Sequence, residues 1–161
     1  MITPALLDDA AALLDACRAK QVKLATAESC TGGLIAAVLT AIAGASDVVE
    51  RGFVTYSNQA KTELLGVPAD LIGAVGAVSE PVARLMAEGA LQRSHADIAM
   101  SVTGVAGPGG GSVEKPVGLL WFGLAQHGHA AVTERQVFPG DRTAIRVAAV
   151  AKAFALIRAR L

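Results

Sequence analysis

The segment 22–42 constrains the fold of this chain more than any other. Its apolar run Val22–Thr26 predicts a buried strand, and its alanine-rich run Leu34–Ile42 predicts a helix. The turn between them, Thr26-Ala-Glu-Ser-Cys-Thr-Gly-Gly33, carries hydroxyl groups and two glycines. A strand that leads at once into a helix indicates an α/β fold. The turn also places its hydroxyls beside the unpaired N–H groups of a helix start, where anions and oxyanions are favoured.

The remaining patterns alternate between helix and strand. We predict helices over Pro4–Lys20, Leu34–Ile42 and Asn58–Leu65, then from the N-cap Ser79 to about Ser94, and finally from Gly140-Asp141 onward. Predicted strands cover Val22–Thr26, Val48–Tyr56 with a bulge at Arg51 and Gly52, Asp97–Thr103, and a hairpin of Val117–Ala125 with Ala130–Phe138. This order predicts a single domain over 1–161, a three-layer α/β/α sandwich with a mixed, mostly parallel sheet and one antiparallel strand from the hairpin.

Composition excludes several classes of function. Fourteen basic residues balance fourteen acidic ones and aromatics make up only 4%, so a general footprint for nucleic acid is missing and any phosphate recognition must be local. The two cysteines indicate neither a disulfide framework nor a zinc site, and we expect no metal and no cofactor. No signal peptide or membrane-length apolar run is evident, so we expect a cytoplasmic protein with no membrane partner.

Three predicted strand ends carry polar residues, and ligands of open α/β sheets gather beyond the carboxyl ends of parallel strands. These ends hold Glu28-Ser-Cys-Thr31, Thr55-Tyr-Ser-Asn58 and Thr103-Gly104. Their convergence predicts one site. The nearby Gly104–Gly111 loop, with five glycines, allows a close backbone approach to a ligand, but it matches neither a Walker A loop nor a dinucleotide motif.

Ser29 is the candidate nucleophile, although it could equally be a helix N-cap, as could Thr31. A serine needs a base, and the three histidines are poorly placed for a triad. Lys61 is the better base, because burial beside Tyr56 would favour its neutral form; a solvated surface lysine is the alternative. Cys30 ranks below Ser29 because no histidine partner is evident.

Two charged residues complete the candidate site. Glu28 could orient Lys61 or a substrate hydroxyl, or it could be a buried acid satisfied by backbone donors. Arg142 stands in the first turn of the last predicted helix, against the preference of the helix dipole, which indicates that it meets an anion. A solvated arginine is the alternative.

Taken together, these motifs resemble the CinA C-terminal domain family, the nicotinamide-nucleotide amidohydrolases of PncC type. The resemblance rests on Thr26–Gly33, Gly52 through Thr55-Tyr-Ser-Asn58 to Lys61, Gly76–Ser79, Ser101–Pro108, Lys115–Gly118 and Gly140-Asp-Arg142, in family order over nearly the whole chain. It implies an anticodon-binding-domain-like sandwich, a homo-oligomer, and hydrolysis of the carboxamide of nicotinamide mononucleotide, a small-molecule nucleotide substrate.

The resemblance and the residues together suggest a mechanism. Ser29 attacks the carboxamide, neutral Lys61 acts as general base, and Tyr56 relays or positions the proton. Backbone N–H groups around Thr31, Gly32 and Gly33 would stabilise the oxyanion. A last group of residues would hold ribose and phosphate: Thr103, Gly104, the glycine loop and Arg142.

Three alternatives stay open. The chain could be a non-catalytic nucleotide-binding or regulatory module, against which the joint presence of Ser29, Tyr56 and Lys61 argues. It could be an amidase that acts on a different phosphorylated substrate. The family is also associated with DNA uptake and repair, which would imply a protein-interaction role, since neutral charge argues against direct DNA binding.

Overall fold

The structure, a computed structural model, describes all of residues 1–161. The helices are α1 (Pro4–Lys20), α2 (Leu34–Thr40), α3 (Asn58–Leu65), α4 (Ala69–Val75), α5 (Glu80–Gln92) and α6 (Arg142–Arg158), with a 3₁₀ turn at Ala45–Asp47. The strands are β1 (Leu24–Glu28), β2 (Val49–Val54), β3 (Ile98–Gly104), β4 (Leu119–Gln126) and β5 (Val132–Val137). None of the helices combines the length and the apolar character needed to cross a membrane.

One five-stranded sheet organises the molecule, in the order β2-β1-β3-β4-β5. Strand β1 lies in the centre and pairs in parallel with β2 and β3. Strand β4 pairs antiparallel with both β3 and β5, so it is the one strand that runs against the others. The predicted mixed, mostly parallel sheet with one reversed hairpin strand is therefore confirmed.

Helices cover both faces of this sheet. Helices α1, α2 and α6 enclose the larger apolar core on one face, whereas α3, α4 and α5 enclose a smaller, alanine-rich core on the other. Successive strand residues point to opposite cores, as with Leu24 and Ala25 of β1. Glycine permits the closest approaches: a Cβ at Gly89 of α5 would lie 2.0 Å from the Leu65 carbonyl oxygen of α3. The predicted three-layer sandwich is confirmed.

Strand β1 differs from the prediction in its position. It begins two residues later than Val22 and extends to Glu28 rather than ending at Thr26. All five of its residues are buried, including the polar Thr26 and Glu28, because helices cover both faces of a central strand. Polarity therefore misplaced the strand end, and Glu28 belongs to the strand itself.

Three other features of the structure differ from the prediction. Helix α4 was not predicted, because Gly73 masked a helical turn whose Ile72 is buried in the smaller core. Ser79 does precede α5, but its hydroxyl donates to the Gly76 carbonyl (2.8 Å) and accepts no helix N–H. The register shift between β1 and β2 falls between the Val49 and Arg51 pairings, slightly before the predicted bulge.

Candidate active site

A cleft of about 340 Å³ opens at the edge of the sheet where β1, β2 and β3 end, within the size range of small-molecule sites. Six of the candidate site residues line it: Ser29, Tyr56, Lys61, Thr103, Gly104 and Arg142. The other four lie outside its lining: Glu28, Thr31, Gly32 and Gly33. The structure thus brings six of the ten candidate residues together at one site.

Ser29 and Lys61 meet in the wall of this cleft. Ser29 follows β1 directly, and Lys61 stands in the first turn of α3, whose start Ser57 caps by accepting from the Ala60 N–H (3.0 Å). From there the lysine reaches back to the strand edge, so that its Nζ lies 3.0 Å from Ser29 Oγ. Both side chains are buried, Lys61 to the point where only 1% of its surface is exposed.

The surroundings of Lys61 favour a neutral amine. Its Nζ also lies 2.8 Å from the Thr55 carbonyl oxygen and 3.5 Å from that of Ser57, and no carboxylate forms an ion pair with it. Burial lowers the pKa of Lys61 below its ordinary value. A neutral amine has two N–H groups for the two carbonyls and a lone pair for the Ser29 hydroxyl. This geometry matches a serine nucleophile with an adjacent general base.

Glu28 caps the start of α2, a role for which the sequence offered Ser29 or Thr31 as candidates. The first residue before α2 is Gly33, which has no side chain with which to cap. Both carboxylate oxygens of the fully buried Glu28 instead accept backbone N–H groups, from Gly33 (3.1 Å), Ile35 (3.0 Å) and Ala36 (2.8 Å). A carboxylate at a helix start is favoured by the dipole. Ser29 is therefore free of a capping role, and Glu28 makes no hydrogen bond with Lys61.

The backbone of the turn has a defined set of free donors. Gly32 and Gly33 adopt positive φ angles of 58° and 92°, which their lack of a Cβ permits. The Gly32 N–H donates to the Ser29 carbonyl (3.0 Å) and the Gly33 N–H to Glu28. By contrast, the N–H groups of Cys30 and Thr31 donate to no backbone carbonyl and to no carboxylate. Of the predicted oxyanion donors Thr31, Gly32 and Gly33, only Thr31 has an N–H group without a backbone or carboxylate acceptor.

Tyr56 and Arg142 form the mouth of the cleft. Arg142 donates through one terminal nitrogen to the Gly107 carbonyl (2.8 Å) and through the other to the Tyr56 hydroxyl (3.0 Å). Tyr56 is 60% exposed, and its hydroxyl has no hydrogen bond with Ser29 or Lys61. Arg142 is therefore not a freely solvated arginine: it links the end of β2 to the glycine loop.

Several further residues line the cleft without having been assigned a role from the sequence. They are Asn58, Ala77 and Val78. Ala77 comes close because the Thr103 hydroxyl donates to its carbonyl (2.9 Å), which ties the segment before α5 to the end of β3. Asn58 and Ala77 lie within the motifs that carry the family resemblance, so those motifs could have identified them as site residues.

Cys30 also reaches the cleft, but its thiol is a poor nucleophile. Burial raises its pKa to about 12, so that the reactive thiolate is scarce near neutral pH. This environment supports the ranking of Cys30 below Ser29 as a candidate nucleophile. No group of three or more His, Cys, Asp or Glu side chains is arranged to hold a metal ion.

Comparison with known proteins places this architecture in a family. The CinA C-terminal domain profile matches residues 8–161. Nicotinamide-nucleotide amidohydrolase PncC of Escherichia coli K12 is 52% identical over 138 residues, which cover 86% of this chain and 84% of that protein. A CinA-like protein of Akkermansia muciniphila is 56% identical over 79% of this chain, but the match spans only 31% of that longer protein.

Solved structures of this family share the fold of this chain. The crystal structure of competence/damage inducible protein CihA from Agrobacterium tumefaciens superposes with a TM-score of 0.95 at 44% identity, covering 99% of this chain and 97% of that one. A CinA superfamily protein from Escherichia coli gives a TM-score of 0.90 at 36% identity, covering 99% and 94% of the two chains. With its sequence match, its sandwich fold and its strand-edge cleft, this chain belongs to the CinA C-terminal domain family.

Proposed function

We propose that this protein hydrolyses the carboxamide of nicotinamide mononucleotide to give nicotinic acid mononucleotide and ammonia. The observation that carries the proposal is the buried Lys61 amine 3.0 Å from the Ser29 hydroxyl, at the end of the central strand. The E. coli relative, of which this chain covers most of the length, bears the name of that activity. A serine activated by an amine suits acyl transfer and requires no metal.

In the first half of the reaction, Ser29 Oγ bonds to the carboxamide carbon while its proton passes to the lone pair of Lys61. The carbonyl electron pair moves onto oxygen, and the free N–H groups of Cys30 and Thr31 stabilise the resulting anion. Each donor of this kind is typically worth about 3 kcal/mol of transition-state stabilisation. The intermediate collapses as the C–N bond breaks, and the leaving nitrogen takes the proton from Lys61 and departs as ammonia.

In the second half, water attacks the ester on Ser29 and gives a proton to Lys61. Collapse breaks the ester bond and returns that proton to Ser29 Oγ, which releases nicotinic acid mononucleotide. Lys61 thus acts as base and then as acid in each half, as proton balance requires. Glu28 does not line the cleft and holds the turn as a buried acid satisfied by backbone donors, which was one of its expected roles.

The ribose and phosphate would lie toward the glycine loop. Gly107 and Gly110 adopt positive φ angles of 80° and 81°, and no backbone carbonyl accepts their N–H groups. Backbone donors of this kind form anion-binding concavities. Arg142, which already holds the Gly107 carbonyl, adds positive charge on the same side, and Thr103 and Gly104 line the cleft between this loop and Ser29.

The direct test is to incubate the protein with nicotinamide mononucleotide and to measure ammonia release. We expect steady release by the wild-type chain and loss of at least about 1,000-fold in kcat for Ser29→Ala. Ser46→Ala is a matched control, because it removes an exposed hydroxyl in the 3₁₀ turn Ala45–Asp47 that does not line the cleft.

Two outcomes would overturn the proposal. Binding of the nucleotide without ammonia release would indicate a non-catalytic binding module. Unaltered deamidation by Ser29→Ala would remove Ser29 as nucleophile. Mass spectrometry of acid-quenched turnover mixtures gives an independent check, since the mechanism requires a covalent ester on Ser29.

A further inference from the structure

Arg146 of α6 is a second arginine directed at the active-site edge. It lies four residues after Arg142, so the two side chains share one face of the helix. Arg146 donates a hydrogen bond of 2.6 Å to the carbonyl of Thr31, in the turn that follows Ser29. Arg146 does not line the cleft.

The charge of Arg146 is not neutralised by an acid. Four other arginines form salt bridges with carboxylates: Arg18, Arg51, Arg84 and Arg158. Arg146 forms none, is half-buried, and has a buried Nε without an acceptor. Its positive charge opposes the rise in the pKa of the Cys30 thiol that burial causes. A partly desolvated cation is costly to retain without a pairing role, and here its hydrogen-bond partner is the turn.

The bond to Thr31 constrains the part of the turn that carries the free donors. The Ser29 N–H is tied to the Val102 carbonyl of β3 (3.0 Å), and the Gly33 N–H is tied to Glu28 (3.1 Å). Between these anchors, the Thr31 carbonyl accepts from Leu34 (3.2 Å) and from Arg146. With both ends and the middle held, the turn that carries the Cys30 and Thr31 N–H groups is anchored on either side of these donors.

We propose that Arg146 is a positioning residue for catalysis: it fixes the Thr31 carbonyl and so holds the turn whose Cys30 and Thr31 N–H groups would stabilise the oxyanion of the reaction. This inference rests on the proposed amidohydrolase function. Preorganised donors stabilise a transition state because they need not reorient as charge develops. Arg146 therefore acts on turnover rather than on substrate binding.

The test compares Arg146→Met with Arg146→Lys in the ammonia assay. We expect Arg146→Met to lower kcat by about 10- to 100-fold, with KM within about twofold of wild type. This loss is smaller than the roughly 1,000-fold that removal of a direct oxyanion donor can cause. Arg146→Lys keeps a cationic donor for the Thr31 carbonyl and should recover most of the lost kcat. In a Ser29→Ala background, adding Arg146→Met should leave calorimetric binding of nicotinamide mononucleotide unchanged.

Arg158→Met is the matched control, because this arginine stands on the same helix but pairs with Asp9 far from the cleft. Wild-type kcat in a folded Arg146→Met variant would overturn the inference, as would a rise in KM with unchanged kcat. If Arg146→Met does not fold, Arg146→Gln, whose side chain is too short to keep the Thr31 bond, takes its place in the same comparison. A wild-type chain without any activity would instead refute the proposed function itself.

Discussion

Lys61 is the residue whose environment departs most from what its type would lead one to expect. Lysines are rarely buried unless they are paired, yet this one is 1% exposed and has no ion-pair partner. Its partners are two carbonyls and the Ser29 hydroxyl. The burial that costs stability also keeps the amine in its neutral form, which can accept a proton, since desolvation disfavours its charged state.

Turnover should therefore depend on pH through Lys61. Only the neutral amine accepts the Ser29 proton, and burial lowers the pKa of Lys61 from its ordinary 10.5. We expect kcat/KM to rise with pH, with a midpoint below 10.5, and Lys61→Met to lower kcat by about 100- to 10,000-fold at every pH. Lys152→Met, on α6 and paired with Glu134, is the control. A profile that falls as pH rises over this range would contradict the assignment of Lys61 as base.

The Tyr56 hydroxyl can be assigned by kinetics. Its hydrogen bond with Arg142 supports a positioning role at the cleft mouth, whereas a proton relay would require contact with Ser29 or Lys61. We expect Tyr56→Phe to raise KM for nicotinamide mononucleotide by about 3- to 10-fold with kcat nearly unchanged, because a bond to a charged group contributes about 1.5 kcal/mol. A fall in kcat beyond 100-fold would restore the relay.

Among the elements, α2 depends on an unusual cap. Its start is held by the Glu28 carboxylate from β1, rather than by a side chain of the preceding residue. Because the carboxylate spans the turn from strand to helix, it also sets the shape of the loop that presents Ser29. The sequence motif around Ser29 thus has a structural role, the capping of α2, in addition to its proposed catalytic role.

Removal of this cap should cost stability. Glu28→Ala leaves three backbone N–H groups without their acceptor, and we expect the free energy of unfolding in urea to fall by about 3 kcal/mol. Glu63→Ala, which removes an exposed carboxylate bonded only to Gln59, should change it by less than about 0.5 kcal/mol. Equal stability of the two variants would show that Glu28 does not anchor α2.

For the whole molecule, the packing of helices within one layer depends on residues without side chains. Gly89 of α5 lies so close to α3 that a Cβ would overlap the Leu65 carbonyl, whereas a Cβ at Gly73 of α4 would meet nothing within 4 Å. Both glycines are helical, so the helix propensity gained by alanine is the same at the two positions. Packing alone separates them.

The two alanine substitutions should therefore have opposite effects on the free energy of unfolding. Gly73→Ala is expected to raise the free energy of unfolding by about 0.5–1 kcal/mol, and Gly89→Ala to lower it by about 2 kcal/mol or more. Thermal melts followed by circular dichroism measure both. Stabilisation by Gly89→Ala would mean that α5 can move away from α3 at little cost.

Local patterns predicted much of this protein, and their failures have physical causes. The helix over Pro4–Lys20 and the helix over Asn58–Leu65 match to the residue, because periodicity and caps lie within each segment. The end of β1 and the helix α4 were missed, because burial from neighbouring layers overrode polarity at Glu28 and glycine content at Gly73. The homo-oligomer implied by the family resemblance stays a prediction for a single chain.

The sequence by itself determined the fold class, the family and the edge of the sheet where polar residues gather, since each follows from local order along the chain. Only the tertiary structure decided that Lys61 meets Ser29 from 32 residues away, and that Arg146 holds Thr31 from 115 residues away. It also decided that Glu28 serves α2 rather than Lys61. The physical reason is that burial, donor direction and hydrogen-bond choice arise from the packing of distant segments, which no local pattern contains.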